Sequence, residues 1–277
     1  MKKLFLKFKK GKNAMSLTTD FKIVWRESNY LPYIFATNDG DANATWDETK
    51  VLENIPNTLS LISKAIFGFT SLNNLPSIEK FGEITKKDER WFFINGISTD
   101  KQTFELNCNY LKELFGTQIT GLYNHTHGLT LDLAECITGR VFDVREPFNI
   151  AYSTIIENAI KAGYKVKLIG HSQGGIIVSN IIRTLALKNI PFSNLEVFTF
   201  ASAADGEQAQ PNLFQEHFAN SEDFVSRIGL QSKEYLPKVL WKRADGKGHL
   251  LNRNYLNAFR AGKLCGGKSK LYSYLKK

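Results

Sequence analysis

Tyr164-Lys165-Val166-Lys167-Leu168-Ile169-Gly170-His171-Ser172-Gln173-Gly174-Gly175-Ile176-Ile177-Val178-Ser179-Asn180 decides how this chain folds. Its first six residues predict a short buried strand. Its last residues, continued by Ile181-Ile182-Arg183-Thr184-Leu185, predict a helix. Between them Gly170-His171-Ser172-Gln173-Gly174 fits G-x-S-x-G. Strand, tight turn and helix around that pattern make a nucleophile elbow. The turn strains the backbone at Ser172 and lifts its hydroxyl clear of the sheet. Side chains two residues to either side would collide there, which accounts for Gly170 and Gly174.

Outward from the elbow, strands and helices alternate. The pattern predicts strand 91–95, helix 101–115, strand 118–123, helices 129–140 and 147–162, strand 165–170, helix 174–188 and strand 195–200. Such alternation implies a mainly parallel sheet with helices on both faces. Residues 17–85 do not follow it. Phe21–Trp25 and the segment near Tyr33-Ile34-Phe35 read as early strands or extended pieces, Asn38–Asn43 as a polar loop, and Leu59–Phe69 as a helix before the loop Ser71–Pro76. These residues are expected to add edge strands or a cap to one domain spanning 17–277, a size that α/β folds reach as single units.

A serine hydroxyl is a weak nucleophile and needs a base, and the base needs an acid to orient it. With this elbow the chain order is Ser, then Asp or Glu, then His. Of five histidines, His125 and His127 precede the serine, and His171 lies too close in sequence to fold back on it. His217 and His249 remain. His217–Gly229 predicts a short strand and a turn, and Asp223 sits where an acid would share the rim with Ser172. Only His249 follows Asp223. It lies in the loop Gly246-Lys247-Gly248-His249, before a closing helix predicted over Leu250–Phe259. Asp205, after the strand 195–200, is the reserve acid.

The chain resembles an α/β-hydrolase of the lipase type. Asn220-Ser221-Glu222-Asp223-Phe224-Val225 is similar to the N-x-x-D-x-V acid segment of class 3 lipases, with Asn220, Asp223 and Val225 matching. The resemblance covers roughly residues 88–260, an extent judged by these motifs. It implies a Ser172–Asp223–His249 triad. The chain departs from those lipases after strand 195–200. They carry a Gly-Ser-Pro-like element there, and this chain carries Ala201-Ser202-Ala203. The loop Asn95-Gly96-Ile97-Ser98-Thr99 resembles the strand–Gly–Ile turn of small bacterial lipases, and the HGGG form is absent. On that resemblance the amides of Ile97 and Gln173 form the oxyanion hole. The other reading of Gly96 is a turn glycine that ends a strand.

Tyr123-Asn124-His125-Thr126-His127-Gly128 reads as a rim loop or helix cap. A metal reading of its H-x-H pair lacks a third ligand at suitable spacing. Trp241-Lys242-Arg243 reads as a solvated face with a buried aromatic. Hydrophobic residues make up 43% of the chain, enough for a sizeable core, and twenty Phe with ten Tyr fit an aromatic core or an apolar acyl channel. Cys108, Cys136 and Cys265 follow no metal or redox spacing, and an odd count argues against a disulfide framework. No metal or organic cofactor is expected.

The net charge of +9 is uneven: Lys2, Lys3, Lys7, Lys9, Lys10 and Lys12 supply six of the nine charges, leaving +3 for the rest. Residues 1–16 form a basic tail. Its apolar stretch Leu4-Phe5-Leu6 is broken by Lys7, short of a signal-peptide core, and no run approaches a membrane span. Leu4, Phe5, Leu6 and Phe8 among lysines fit contact with an anionic lipid surface. The competing reading is a solubilising tail. Nucleic acid is not expected, since no recognition motif accompanies the charge. The location is left open by the sequence, with a cytoplasmic or membrane-peripheral one favoured. The expected function is hydrolysis of carboxylic esters, most of all lipid esters. A phospholipase at anionic membranes is the alternative among enzymes, and a catalytically silent recruitment protein the alternative outside them.

Overall fold

A computed structural model describes residues 22–23, 25–34, 45–51, 77–96, 99–124, 147–206, 208–234 and 236–276. The basic tail, the loop Asn38–Asn43, the helices expected at 59–69 and 129–140, Ile97, Ser98, the His125–Gly128 segment and Cys136 lie outside these residues. Among the described residues seven strands form one sheet: β1 (Ser77–Phe81), β2 (Glu89–Ile94), β3 (Ile119–Tyr123), β4 (Lys165–His171), β5 (Leu195–Phe200), β6 (Phe214–Glu222) and β7 (Leu240–Lys247). Their spatial order is β1-β3-β2-β4-β5-β6-β7. Only β1 runs antiparallel, on β3; every other pair is parallel.

Alternation along the strands builds a core on each face. Trp91, Phe93, Ile169, Phe198 and Phe200 point one way, and meet Phe104, Cys108 and Leu111 of α1 (Lys101–Phe115) and Tyr255, Leu256 and Phe259 near the chain's end. Phe92, Ile94, Val166, Leu168 and Val197 point the other way, onto Tyr152 and Ile156 of α2 (Pro147–Lys161) and Ile177, Ile181 and Leu185 of α3 (Gln173–Leu187). Helices therefore cover both faces, as expected. Asp100 caps α1 by accepting from the Thr103 amide at 2.7 Å, and Gly116 ends it in the left-handed conformation.

Several expectations need correction. Residues 22–23 and 25–27 are helical and Ser28–Tyr33 form a 3-10 helix, where early strands or extended pieces were expected at 21–25 and near 33–35. Ile23 and Ile34 both bury against Phe224, Val225, Ile228 and Leu230. Asp223 is followed not by a turn but by the short helix α4 (Phe224–Ile228). Gly246 and Lys247 belong to β7. The closing helix begins as a π-helix, Leu251–Leu256, before α5 (Asn257–Arg260). Strands β1 and β7 had no counterpart among the expected elements.

Two early segments brace the sheet's C-terminal rim. Arg227 of α4 bonds Glu27 at 2.5 Å and lies over the Tyr30 ring at 3.9 Å. In residues 45–51, buried Glu48 accepts from the amides of Asn252 (2.7 Å) and Arg253 (3.0 Å) and from the Asn107 side chain (2.8 Å). Burial pushes its carboxyl above the ordinary range. Neighbouring Asp47 pairs with the Arg253 guanidinium. Glu48 thus satisfies amides at the start of the π-helix, and Asp47 holds a side chain of the same helix.

Candidate active site

The elbow sits where β4 meets α3. Ser172 has φ 57° and ψ −123°, a region L-residues rarely adopt. Holding it costs on the order of 1–3 kcal/mol and needs support from outside. Three backbone bonds supply that support: Ser172 donates to Phe200 (3.0 Å), and its carbonyl accepts from Gly175 (2.9 Å) and Ala203 (3.1 Å). A Cβ on Gly174 would stand 2.3 Å from the Ile94 carbonyl, so only glycine lets α3 pass β2 this closely. Gln173 is the first residue of α3, so its amide lies at the positive end of the helix dipole.

Three sequence-predicted residues meet at one point. Ser172 Oγ lies 2.8 Å from His249 Nε2. His249 Nδ1 lies 2.8 Å from Asp223 Oδ2 and 3.0 Å from Oδ1. A carboxylate only accepts, so Nδ1 carries the proton and Nε2 is left to accept from the serine hydroxyl. Such a chain can move the hydroxyl proton onto the imidazole while the carboxylate balances the new charge. Asp223 is fully buried and also caps α4, accepting from Val225 N at 2.9 Å and Ser226 N at 3.4 Å. Asp205 is half-buried on the loop after β5, and neither of its oxygens takes the place Asp223 holds on Nδ1. His217 is enclosed in β6, bonded to Thr199 at 2.7 Å, and burial pushes it down to about 3.

Ala201 has φ 51°. This positive φ is one that glycine adopts without cost and other residues seldom do.

Of the oxyanion residues, Ile97 lies outside the described residues. Gly96 beside it is tightly set: a Cβ there would lie 2.5 Å from Ser172 Cβ and 3.0 Å from Oγ. The loop is tied down by two asparagines. Asn95 donates to the carbonyls of Gly96 (2.9 Å) and Asn124 (3.0 Å) and accepts from the Asn124 amide (2.7 Å). The Asn124 side chain then donates to Gln173 Oε1 at 2.7 Å. Sequence reasoning placed Asn95 in the oxyanion loop and Asn124 in a rim loop but did not join them, although each lies one residue past the end of adjacent parallel strands.

His171 was set aside because it cannot reach Ser172. It reaches His249 instead. Its Nε2–H donates to the His249 carbonyl at 2.9 Å, and the two rings lie 4.8 Å apart. Burial, then the adjacent His249, hold His171 well below the usual imidazole range, so it is a neutral donor. On the other side the His249 amide donates to Ile34 O at 3.0 Å. Among the described residues no group of His, Cys, Asp and Glu is placed to hold a metal ion, and no helix is long and apolar enough to cross a membrane.

A mainly parallel sheet, helices on both faces and a strained serine between strand and helix define the architecture. This is the α/β-hydrolase fold. No family model and no curated protein matches the chain. Among solved structures, DphMB1 overlaps 85% of this chain and 97% of its own at 10% identity and a TM-score of 0.42. The iron-lacking apo form of EstFA overlaps 81% and 88% at 8% identity and a TM-score of 0.37. An esterase from the archaeon Pyrobaculum calidifontis overlaps 55% and 52% at 12% identity and a TM-score of 0.32. The chain thus spans about half the length of that esterase. At such distances function has to be read from the site itself.

Proposed function

We propose that the chain is a serine hydrolase of carboxylic esters, lipid esters above all. The observation that carries this reading is the unbroken Ser172–His249–Asp223 hydrogen-bond chain beneath a strained elbow. Ser172 Oγ attacks the ester carbonyl, and its proton passes to His249 Nε2. The Oγ–C bond forms as the carbonyl electrons move onto oxygen, where the Gln173 and Ile97 amides receive them. Collapse expels the alcohol, which takes the proton from His249, and water then cleaves the acyl-enzyme by the same steps. The lipid preference rests on the resemblance of Asn220, Asp223 and Val225 to the acid segment of class 3 lipases, and the bonds these residues make bear on the triad. Asn220 donates to the Gly248 carbonyl (3.3 Å) and the Asn254 carbonyl (3.2 Å), tying the acid strand to the His249 loop. Val225 feeds its amide to Asp223. All three matched positions of that segment thus serve the site.

A fluorophosphonate probe tests the reading. Serine attack displaces fluoride and leaves a phosphonyl group on Ser172. The expected result is stoichiometric labelling at Ser172, with hydrolysis of p-nitrophenyl esters that favours longer acyl chains. No labelling would favour the silent scaffold.

The phospholipase reading adds the tail. Residues 1–14 are expected to bind anionic vesicles, each lysine near the surface contributing about 1 kcal/mol, discounted because not all six face the membrane together. Deleting them should weaken vesicle binding and spare turnover of a soluble short-chain ester. Salt should mimic the deletion, since the Debye length is about 10 Å at 0.1 M. Vesicle binding indifferent to both would make the tail a solubilising end.

A further inference from the structure

We propose that Tyr255 is a positioning residue that fixes Asp223 and restrains how strongly it supports a protonated His249; this rests on the serine-hydrolase reading above. Tyr255 belongs to the π-helix and is fully buried, edge-on to Phe200 and His171. Its hydroxyl lies 2.5 Å from Asp223 Oδ2, the oxygen nearer His249 Nδ1. The same hydroxyl accepts from the Asn220 amide at 3.0 Å. An amide N–H can only donate, so a phenol lone pair is engaged there and the O–H proton points at Asp223. The direction of the bond is thus set by geometry. Burial and the adjacent Asp223 hold the phenol well above its ordinary range, so it remains a donor across the working pH.

A neutral donor on a carboxylate in a dry site draws charge away from the imidazole. Tyr255 and His249 therefore compete for one oxygen. With the phenol present, the proton taken from Ser172 is held less tightly and is returned more readily to a leaving group. The π-helix has a reason to be here, since extra-wide turns concentrate at functional sites. Its first amides are met by Glu48, and it carries the Tyr255 ring to Asp223 within six residues of His249.

Titratable groups on the surrounding elements make their own contacts. His171 is neutral on the far side of the His249 ring. Arg227 of α4 pairs with Glu27. Lys247 of β7 pairs with Glu222 of β6 at 3.3 Å. Arg253 of the π-helix pairs with Asp47. Lys242, with Arg227 and Glu27 as its charged neighbours, is held below its usual range by burial. None of these contacts involves the Tyr255 hydroxyl, so its loss should leave them unchanged.

The test follows the rate of fluorophosphonate labelling of the full chain against pH. This readout needs no knowledge of the substrate. Wild type should lose rate on the acid side as the base is protonated. In Tyr255→Phe the carboxylate charge falls more fully on the imidazolium, and the acid limb should move to higher pH by about half a unit or more, roughly threefold in rate below the limb. Phe259→Leu removes core packing without touching Asp223, and its limb should coincide with wild type. Should Tyr255→Phe not fold, 3,5-difluorotyrosine at position 255 keeps ring and hydroxyl, donates more strongly, and should move the limb to lower pH. A slower Tyr255→Phe whose limb coincides with wild type would reduce Tyr255 to packing and overturn the proposal, as would an equal shift in Phe259→Leu. Wild type that resists labelling at every pH would sink the hydrolase reading, and this proposal with it.

Discussion

Ser172→Ala is expected to abolish turnover and probe labelling while leaving the fold intact. The drop should be on the order of 10⁵–10⁶ in kcat, since removing the nucleophile of such a triad disables the whole unit. Residual rate over water would come from the oxyanion donors and binding alone. Stability should change by no more than about 1 kcal/mol. The lost hydroxyl makes one hydrogen bond, to His249. The backbone bonds that hold the elbow, Ser172 N–H to Phe200 and Ser172 C=O to Gly175 and Ala203, do not involve the side chain. Alanine meets the same positive φ as serine, so no strain is released or added. Thermal unfolding alongside ester hydrolysis checks both halves. A folded variant that keeps near wild-type hydrolysis would remove Ser172 from the chemistry.

Asp223→Asn is expected to lower kcat by 10² to about 10⁴, and Asp205→Asn to change it little. Every approach to the Asp223 carboxylate is a donor. Oδ1 receives Val225 N–H, Ser226 N–H and His249 Nδ1 at 2.9, 3.4 and 3.0 Å. Oδ2 receives Tyr255 O–H and His249 Nδ1 at 2.5 and 2.8 Å. Whichever way the amide turns, its NH2 meets at least one of them. Relief comes if His249 moves its proton to Nε2, and then it no longer accepts from Ser172. A stability loss of about 1–3 kcal/mol should accompany the rate loss, because buried donors are left unmatched. Urea midpoints and kcat for the two variants decide the matter. The opposite ranking would move the acid to the loop after β5.

Much of the frame was legible because it is local or periodic. Helix α1 has the expected bounds, 101–115, because Asp100 and Gly116 mark its ends in sequence. Strand β5 likewise spans the expected 195–200, where residues alternate between two aromatic and aliphatic faces. The elbow was legible because Gly170, Ser172 and Gly174 meet a steric demand that nearby backbone imposes. Strand β1 was not. Its residues Ser77, Ile78, Glu79, Lys80 and Phe81 are only half-buried or exposed, so they carry little apolar signal, and pairing with β3 makes them a strand. The same holds for β7, defined by its ladder with β6.

By itself, then, the sequence determined the alternating architecture, the strained serine, and the residue types offered for a base and an acid. Each of these depends on neighbours a few positions away. Tertiary structure decided which groups meet across long separations. It made residues 22–23 and 25–33 helical, because Ile23 and Ile34 had a helix and a loop to bury against rather than a strand to pair with. It brought His171 to the His249 carbonyl 78 residues on, Tyr255 to Asp223 across 32, and Glu48 to the π-helix amides across 204 and 205. A hydrogen bond between side chain and distant backbone leaves no period and no spacing in a chain. It exists only once packing has removed water from both partners, and burial then makes leaving either one unpaired costly.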